Sequence, residues 1–117
     1  MARTSTANRG GALNRGPSLG RWETAAASAT NQALGATGKV GDYLEGVLIV
    51  PATTSPGPVT IKDGTGGAAI TIFAGGATSL ADLKPFYVPL GMKSLAAGGW
   101  LVTTGTNVSA IGIGTFN

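Results

Sequence analysis

No run of large apolar side chains in this chain exceeds four residues before Pro or Gly interrupts it. The chain from residue 39 reads as short strands separated by turns. Val47 to Val50, stopped by Pro51, predicts a strand buried on both sides. Val59/Ile61, Ile70/Ile72, Phe86/Val88/Leu90 and Trp100/Val102 alternate with polar, small or oppositely facing residues, the period of half-buried strands. Val108 to Phe116 changes phase between Ala110 and Ile111, which predicts a bulge or a change of sheet there. Pro85 and Pro89 place the 86–90 strand at an edge or a bulge, because proline has no N–H for a ladder. Turn signals separate the runs at Ser55-Pro56-Gly57-Pro58, Asp63 to Gly67, Gly75-Gly76, Gly98-Gly99 and Gly105-Thr106-Asn107. Leu80 to Leu83 reads as one helical turn between strands. Six or seven such strands predict an all-β fold, a small β-sandwich or jelly-roll-like barrel with an extended N-terminal arm.

Composition then narrows the chemistry. Gly, Ala, Thr and Ser make up 60 of the 117 residues, and charged residues only 11%. There is no Cys and no His, so disulfides, Cys/His zinc sites, cysteine nucleophiles and His-based triads are all excluded. No stretch approaches the roughly 20 apolar residues of a membrane helix. The first residues are polar and Gly-rich rather than a hydrophobic signal region, so the expected compartment is cytosol-like. Asn107-Val108-Ser109 matches a glycosylation sequon by chance in that setting. The outward strand positions Thr60, Thr71, Thr103 and Ser109 are neutral, where a free monomer usually carries charge to block edge pairing.

Charge is concentrated at one end. Residues 1–21 carry Arg3, Arg9, Arg15 and Arg21 with no acid, whereas residues 22–117 carry four Lys against five acids. The boundary is expected near residue 38, dividing a basic Gly/Ala-rich arm (1–38) from a β-sandwich body (39–117). The four arginines recur every six residues, and Asn8 to Leu13 is echoed by Asn14 to Leu19. Six is a multiple of both the strand and the polyproline period, so an extended arm presents all four guanidinium groups on one side. A helix would scatter them, and Gly10, Gly11, Gly16 and Pro17 disfavour one. The arm is therefore a candidate docking segment, with Arg3, Arg9, Arg15 and Arg21 as contacts and Trp22 anchoring it to the body. Thr24 to Leu34 is Ala-rich and compatible with either a short helix or an extended segment.

No arrangement of residues carries catalytic chemistry. Ala33 to Val40 resembles a phosphate-binding loop but lacks its first Gly and its terminal hydroxyl, so Gly38-Lys39 reads as a turn. Gly64 to Ala69 fits a relaxed dinucleotide pattern yet leads into a strand, which makes it a hairpin turn. Asp42 and Glu45 with Asp63 or Asp82 lack the dense spacing of a calcium loop and read as surface acids. Lys93-Ser94 has no supporting nucleophile motif. The expectation is a protein that is not an enzyme and needs no cofactor or metal.

Three stretches resemble small virion proteins of tailed bacteriophages. They are Gly41 to Glu45 running into Val47 to Pro51, Leu83 to Gly91, and Gly99 to Gly105 followed by Val108 to Phe116. The resemblance covers most of residues 40–117 and leaves the arm uncovered. Such proteins are often head decoration or cement proteins, which sit on the capsid lattice, commonly as trimers, and reinforce it. The resemblance implies a phage capsid decoration protein on the virion surface, made in the host bacterial cytoplasm. Its expected partners are the major capsid protein or another virion protein, and further copies of itself as a homotrimer. A head–tail junction, tail or fibre-attachment protein is the alternative within that class. A carbohydrate-binding β module is the alternative outside it, for which Trp22, Trp100, Tyr43 and Tyr87 are the available aromatics. Nucleic acid is a poor fit, because no aromatic platform interleaves with the arginines and no base-reading module is present. The isolated protein is expected not to bind duplex DNA even at about 50 mM salt, which a titration with retention on DNA would check.

Overall fold

The computed structural model describes residues 21–36 and 38–117. The proposed contacts Arg3, Arg9 and Arg15, and the extended conformation expected of residues 1–20, lie outside them. Eight strands occur among the described residues: β1 (Arg21–Ala25), β2 (Gln32–Ala33), β3 (Tyr43–Pro51), β4 (Val59–Asp63), β5 (Ile70–Phe73), β6 (Phe86–Lys93), β7 (Trp100–Thr104) and β8 (Val108–Thr115). They form two four-stranded sheets, in the orders β1-β8-β3-β6 and β2-β7-β4-β5.

All ladders are antiparallel: β1 pairs with β8, β2 with β7, β3 with β6 and β4 with β5. These are the pairings of one long hairpin folded about the β4–β5 turn. Two further ladders, β3 with β8 and β4 with β7, hold that hairpin rolled up. The chain is an all-β sandwich with the wiring of a jelly roll.

The core lies between the sheets. Leu44, Val47 and Ile49 of β3 and Val108 and Ala110 of β8 meet Val59 and Ile61 of β4 and Trp100 and Val102 of β7. Leu34 and Phe116 are also buried in it. Phe73 and Phe86 close one end edge to face, with ring centroids 5.2 Å apart. A register shift between Leu44 and Gly46 marks a bulge in β3.

Several expectations are corrected. The body begins by Arg21 rather than after residue 38, because β1 is an integral strand of the first sheet and β2 of the second. Arg21 and Trp22 therefore belong to the sandwich, and Thr24 to Leu34 is extended and looped, with no helix. Leu80 to Leu83 is a bend and not a helical turn. Val47 to Val50 is buried on one side only: Val47 and Ile49 face the core, while Leu48 and Val50 are half-buried on the outer face.

The phase change at Ala110–Ile111 produces neither bulge nor sheet change. β8 is one regular strand, with Val108, Ala110, Gly112 and Gly114 inward and Ser109, Ile111 and Ile113 outward. The inward glycines leave room for neighbours: a Cβ on Gly112 would lie 2.8 Å from Leu34 Cδ1, and one on Gly114 would collide with the Tyr43 backbone oxygen and lie 3.0 Å from the Phe116 ring. Other expectations hold. β6, with Pro89, is an edge strand, and Gly64 to Gly67 is the β4–β5 hairpin turn, with Gly64 at φ +78°. Thr71, Thr60 and Thr103 stand in one register row on the second sheet.

Leu34→Ala should cost about 2–5 kcal/mol of stability in urea unfolding, because the cavity it leaves faces glycine and cannot be filled from β8. Gly112→Val should cost about 1–3 kcal/mol by overpacking the same spot.

Candidate functional site

Asp42 and Asp63 do approach one end of the sandwich, linked through Ser94. Their oxygens are occupied by donors of the fold itself. Asp42 is buried, not a surface acid as expected, and its carboxylate accepts from Lys39 N–H (3.0 Å) and Asn117 Nδ2 (2.7 Å). Its backbone oxygen accepts from Trp100 Nε1 (3.0 Å) and from Ser94 N–H (2.8 Å). Asp63 accepts from Ser94 Oγ (2.6 Å), Leu95 N–H (2.7 Å) and Ala96 N–H (3.4 Å). These bonds tie the 94–96 loop to β4 and the C-terminus to the 39–42 turn.

Glu45 and Asp82 are elsewhere, on the outer face of β3 and in the 80–85 loop, where Asp82 accepts from Lys84 N–H (3.1 Å). Among the described residues no three His, Cys, Asp or Glu side chains group as metal ligands do. Ser94 is buried and committed to Asp63, while Lys93 is exposed, so the two form no dyad.

No pocket opens among the described residues, so the surfaces that remain to be weighed are sheet faces and edges. The two sheets differ sharply in what they turn outward. The second carries the threonine row, whose end at Thr103 Oγ1 accepts from Asn31 N–H (2.9 Å). The first carries large apolar side chains. One register row runs Trp22, Ile113, Gly46, Pro89; the next runs Thr24, Ile111, Leu48, Tyr87. Val50 extends the patch beside Ser109, and Tyr43 stands at the end where β1 begins.

Aromatic exposure singles this face out. Trp22 is 72% exposed, Tyr87 42% and Tyr43 38%, while Trp100, the fourth candidate, is 3% exposed and belongs to the core. Trp22 is thus a solvent-facing side chain rather than an anchor in the body. Gly46 explains the posture of Tyr87: a Cβ there would collide with the Tyr87 ring and hydroxyl, so the ring lies across the strand over the missing side chain. Neighbouring strands are about 4.8 Å apart, which puts Trp22 and the Tyr87 ring on opposite sides of Ile113, about 10 Å apart. Partial burial raises the Tyr87 hydroxyl above its ordinary pKa, and the nearby Glu45 carboxylate and Tyr43 add to that shift. The exposed charges bordering these aromatics are Glu45 on β3, Lys93 on β6 and Arg21 at the start of β1.

A contiguous apolar face of this kind on a small domain is a candidate interaction surface. Of the expected partner-binding residues, the structure brings Trp22 onto this face and puts Arg21 at its rim. Ile111, Ile113, Leu48 and Val50, half-buried on this face, were not anticipated there, nor was Gly46, which is buried beneath the Tyr87 ring. The signal for the isoleucines was the phase change after Ala110, which reports an outward apolar pair and not a bulge. No protein-family model, no curated protein and no solved structure matches the chain.

Asp63 supplies a pH signature for the fold behind the face. Burial alone would raise its carboxyl, but the bonds from Ser94, Leu95 and Ala96 outweigh it and hold the group below its ordinary value. A carboxylate lowered on folding adds stability above its unfolded pKa of about 3.9, lost as pH falls through the folded value. Asp63→Asn should therefore cost about 1–2 kcal/mol at neutral pH, the lower end reflecting its partial solvation. That difference should shrink as pH falls through the folded-state value and wild-type Asp63 takes up its proton, as urea unfolding at neutral pH and across the acid range would show.

Proposed function

We propose that this protein is a non-enzymatic structural subunit of a tailed-phage virion, a decoration or cement protein that docks on the capsid lattice. The observation that carries the proposal is the unpartnered aromatic and aliphatic face of the β1-β8-β3-β6 sheet. A domain with only 11% charged residues gains from covering such a face, and a repetitive lattice offers many equal places to cover it. The basic N-terminal segment enters the fold at the rim of that face. Extended, its 20 residues span up to about 70 Å, enough to strap neighbouring subunits and to add Arg–carboxylate contacts at high effective concentration. The resemblance of residues 40–117 to small phage virion proteins supports the same reading.

One observation favours a second reading. Trp22, Tyr43 and Tyr87 are exposed on one sheet, an arrangement that suits stacking on sugar rings, and a glycan array would detect such binding.

Quantitative mass spectrometry of purified virions tests the main proposal. A decoration protein should be present at on the order of hundreds of copies, as a lattice requires. About a dozen copies or fewer would move the assignment to a junction or fibre component. Absence from the virion would overturn it. Deleting residues 1–20, which spares β1, should weaken capsid binding while leaving the body folded.

A further inference from the structure

We infer that the seam between the edge strands β5 and β6 is a contact for a second copy of this chain, packed about a two-fold axis beside Pro89. The inference goes beyond the virion proposal. It uses a different side of the domain from the aromatic sheet face and concerns the free protein.

Along this side the two sheets do not close over the core. β5 and β6 are the outermost strands of their sheets. Val88 pairs with Val47 and Met92 with Leu44, so Phe86, Val88, Leu90 and Met92 point inward with those core residues. On β5, Ile70 pairs with Ile61 and Phe73 with Val59, which turns Ile70 and Phe73 inward too. Phe73 and Phe86 seal one end by their edge-to-face contact. Towards the other end, where Leu95 N–H donates to Asp63, the seam stays open among the described residues. Ile70 is 45% exposed there, although its ladder partner Ile61 is fully buried. Inward-facing aliphatic side chains left in water mark a surface that gains by being covered.

Strand addition does not suit these edges. β5 has only four residues and a register shift opposite Val59 and Thr60. β6 has Pro89 at its middle and Gly91 at φ +70°, opposite the register shift in β3. Short strands, proline and bulges all stop a ladder from growing. Side-chain packing remains.

The arrangement along β6 fits a copy of itself. Leu83 and Leu95, 52% and 83% exposed, stand six residues before and six after Pro89. A two-fold axis beside Pro89 runs the two β6 strands antiparallel, so the Leu83 end of each copy meets the Leu95 end of the other. Charge follows the same rule. The Leu83 end carries exposed Asp82 and Lys84, and the Leu95 end carries exposed Lys93 and half-buried Asp63. Antiparallel docking sets Asp82 against Lys93 and Lys84 against Asp63, each pair occurring twice. Glu45 and Lys62, the other nearby charges, alternate onto the outer faces of their sheets. An isologous contact requires a surface complementary to itself, and one acid and one base at each end supply that.

Sedimentation velocity of the full chain from about 10 μM to about 1 mM should show a monomer–dimer equilibrium that stops at two. Leu83→Glu or Leu95→Glu should weaken it about tenfold or more, since each apolar contact is lost twice. Asp82→Lys should also weaken it, and Asp82→Lys combined with Lys93→Asp should restore it. Restoration by double reversal is not something a disturbed fold would give. Trp22→Ser should leave the equilibrium unchanged. The substituted side chains are all exposed, and emission from buried Trp100 reports in each variant that the body remains folded. A monomer at every concentration would overturn the inference, and so would trimers or open-ended chains. Dimers indifferent to Leu83 and Leu95, dimers lost with Trp22→Ser, or a double reversal that fails to restore them would overturn it as well. No capsid enters the measurement, so its outcome is independent of the virion proposal.

Discussion

Leu34 seated on Gly112 is the contact on which the closeness of the two sheets depends. Leu34 follows β2 directly and its N–H donates to Trp100 O (3.0 Å), so it is fixed to the second sheet. Its side chain enters the first sheet where β8 has none. Phe116 does the same over Gly114, and the chain end then locks through Asn117, whose backbone oxygen accepts from Gly38 N–H (2.9 Å). A larger residue at 112 would hold the layers apart where β8 lies between β1 and β3, and one at 114 would collide first with the Tyr43 backbone oxygen on the adjacent strand. Small residues here are a packing requirement and not a sign of weak structure.

That requirement has a second effect. With glycine and alanine facing inward along β8, the larger side chains of the same strand, Ile111 and Ile113, face outward. They meet Trp22 and Thr24 on one side and Gly46 and Leu48 on the other. The aromatic face of the first sheet is thus coupled to the thinness of the core beneath it. The second sheet, which buries Trp100, Val102, Ile61 and Val59, turns a threonine row outward instead. One face turns hydroxyls to the solvent and the other large apolar side chains.

The strands were legible in the sequence wherever alternation and turn chemistry agreed, as at β4, β6 and β7. Pro89 correctly marked an edge. Misreadings arose where local pattern is ambiguous without the partner strand. Alternation in Val108 to Phe116 does not say which phase is inward, and the usual assumption that isoleucine is buried fails when glycine must be. Arg21 to Ala25 reads as part of a basic arm because its neighbours upstream are Arg and Gly, yet its ladder partner is the last strand of the chain. Asp42 looks like a surface acid until Asn117 and the 39–42 turn close over it. The aromatic face itself was half legible: Trp22, Tyr43 and Tyr87 were recognisable as candidates, but only register unites them on one side of one sheet.

Pairing the earliest described strand with the latest has a consequence for how the molecule is made. β1 emerges from the ribosome well before its ladder partner β8, the last of the eight described strands. The first sheet cannot be completed until β8 has been synthesised, and β1 has no ladder partner for the whole interval. A roll whose early strand waits for a distant one closes late and in a concerted step.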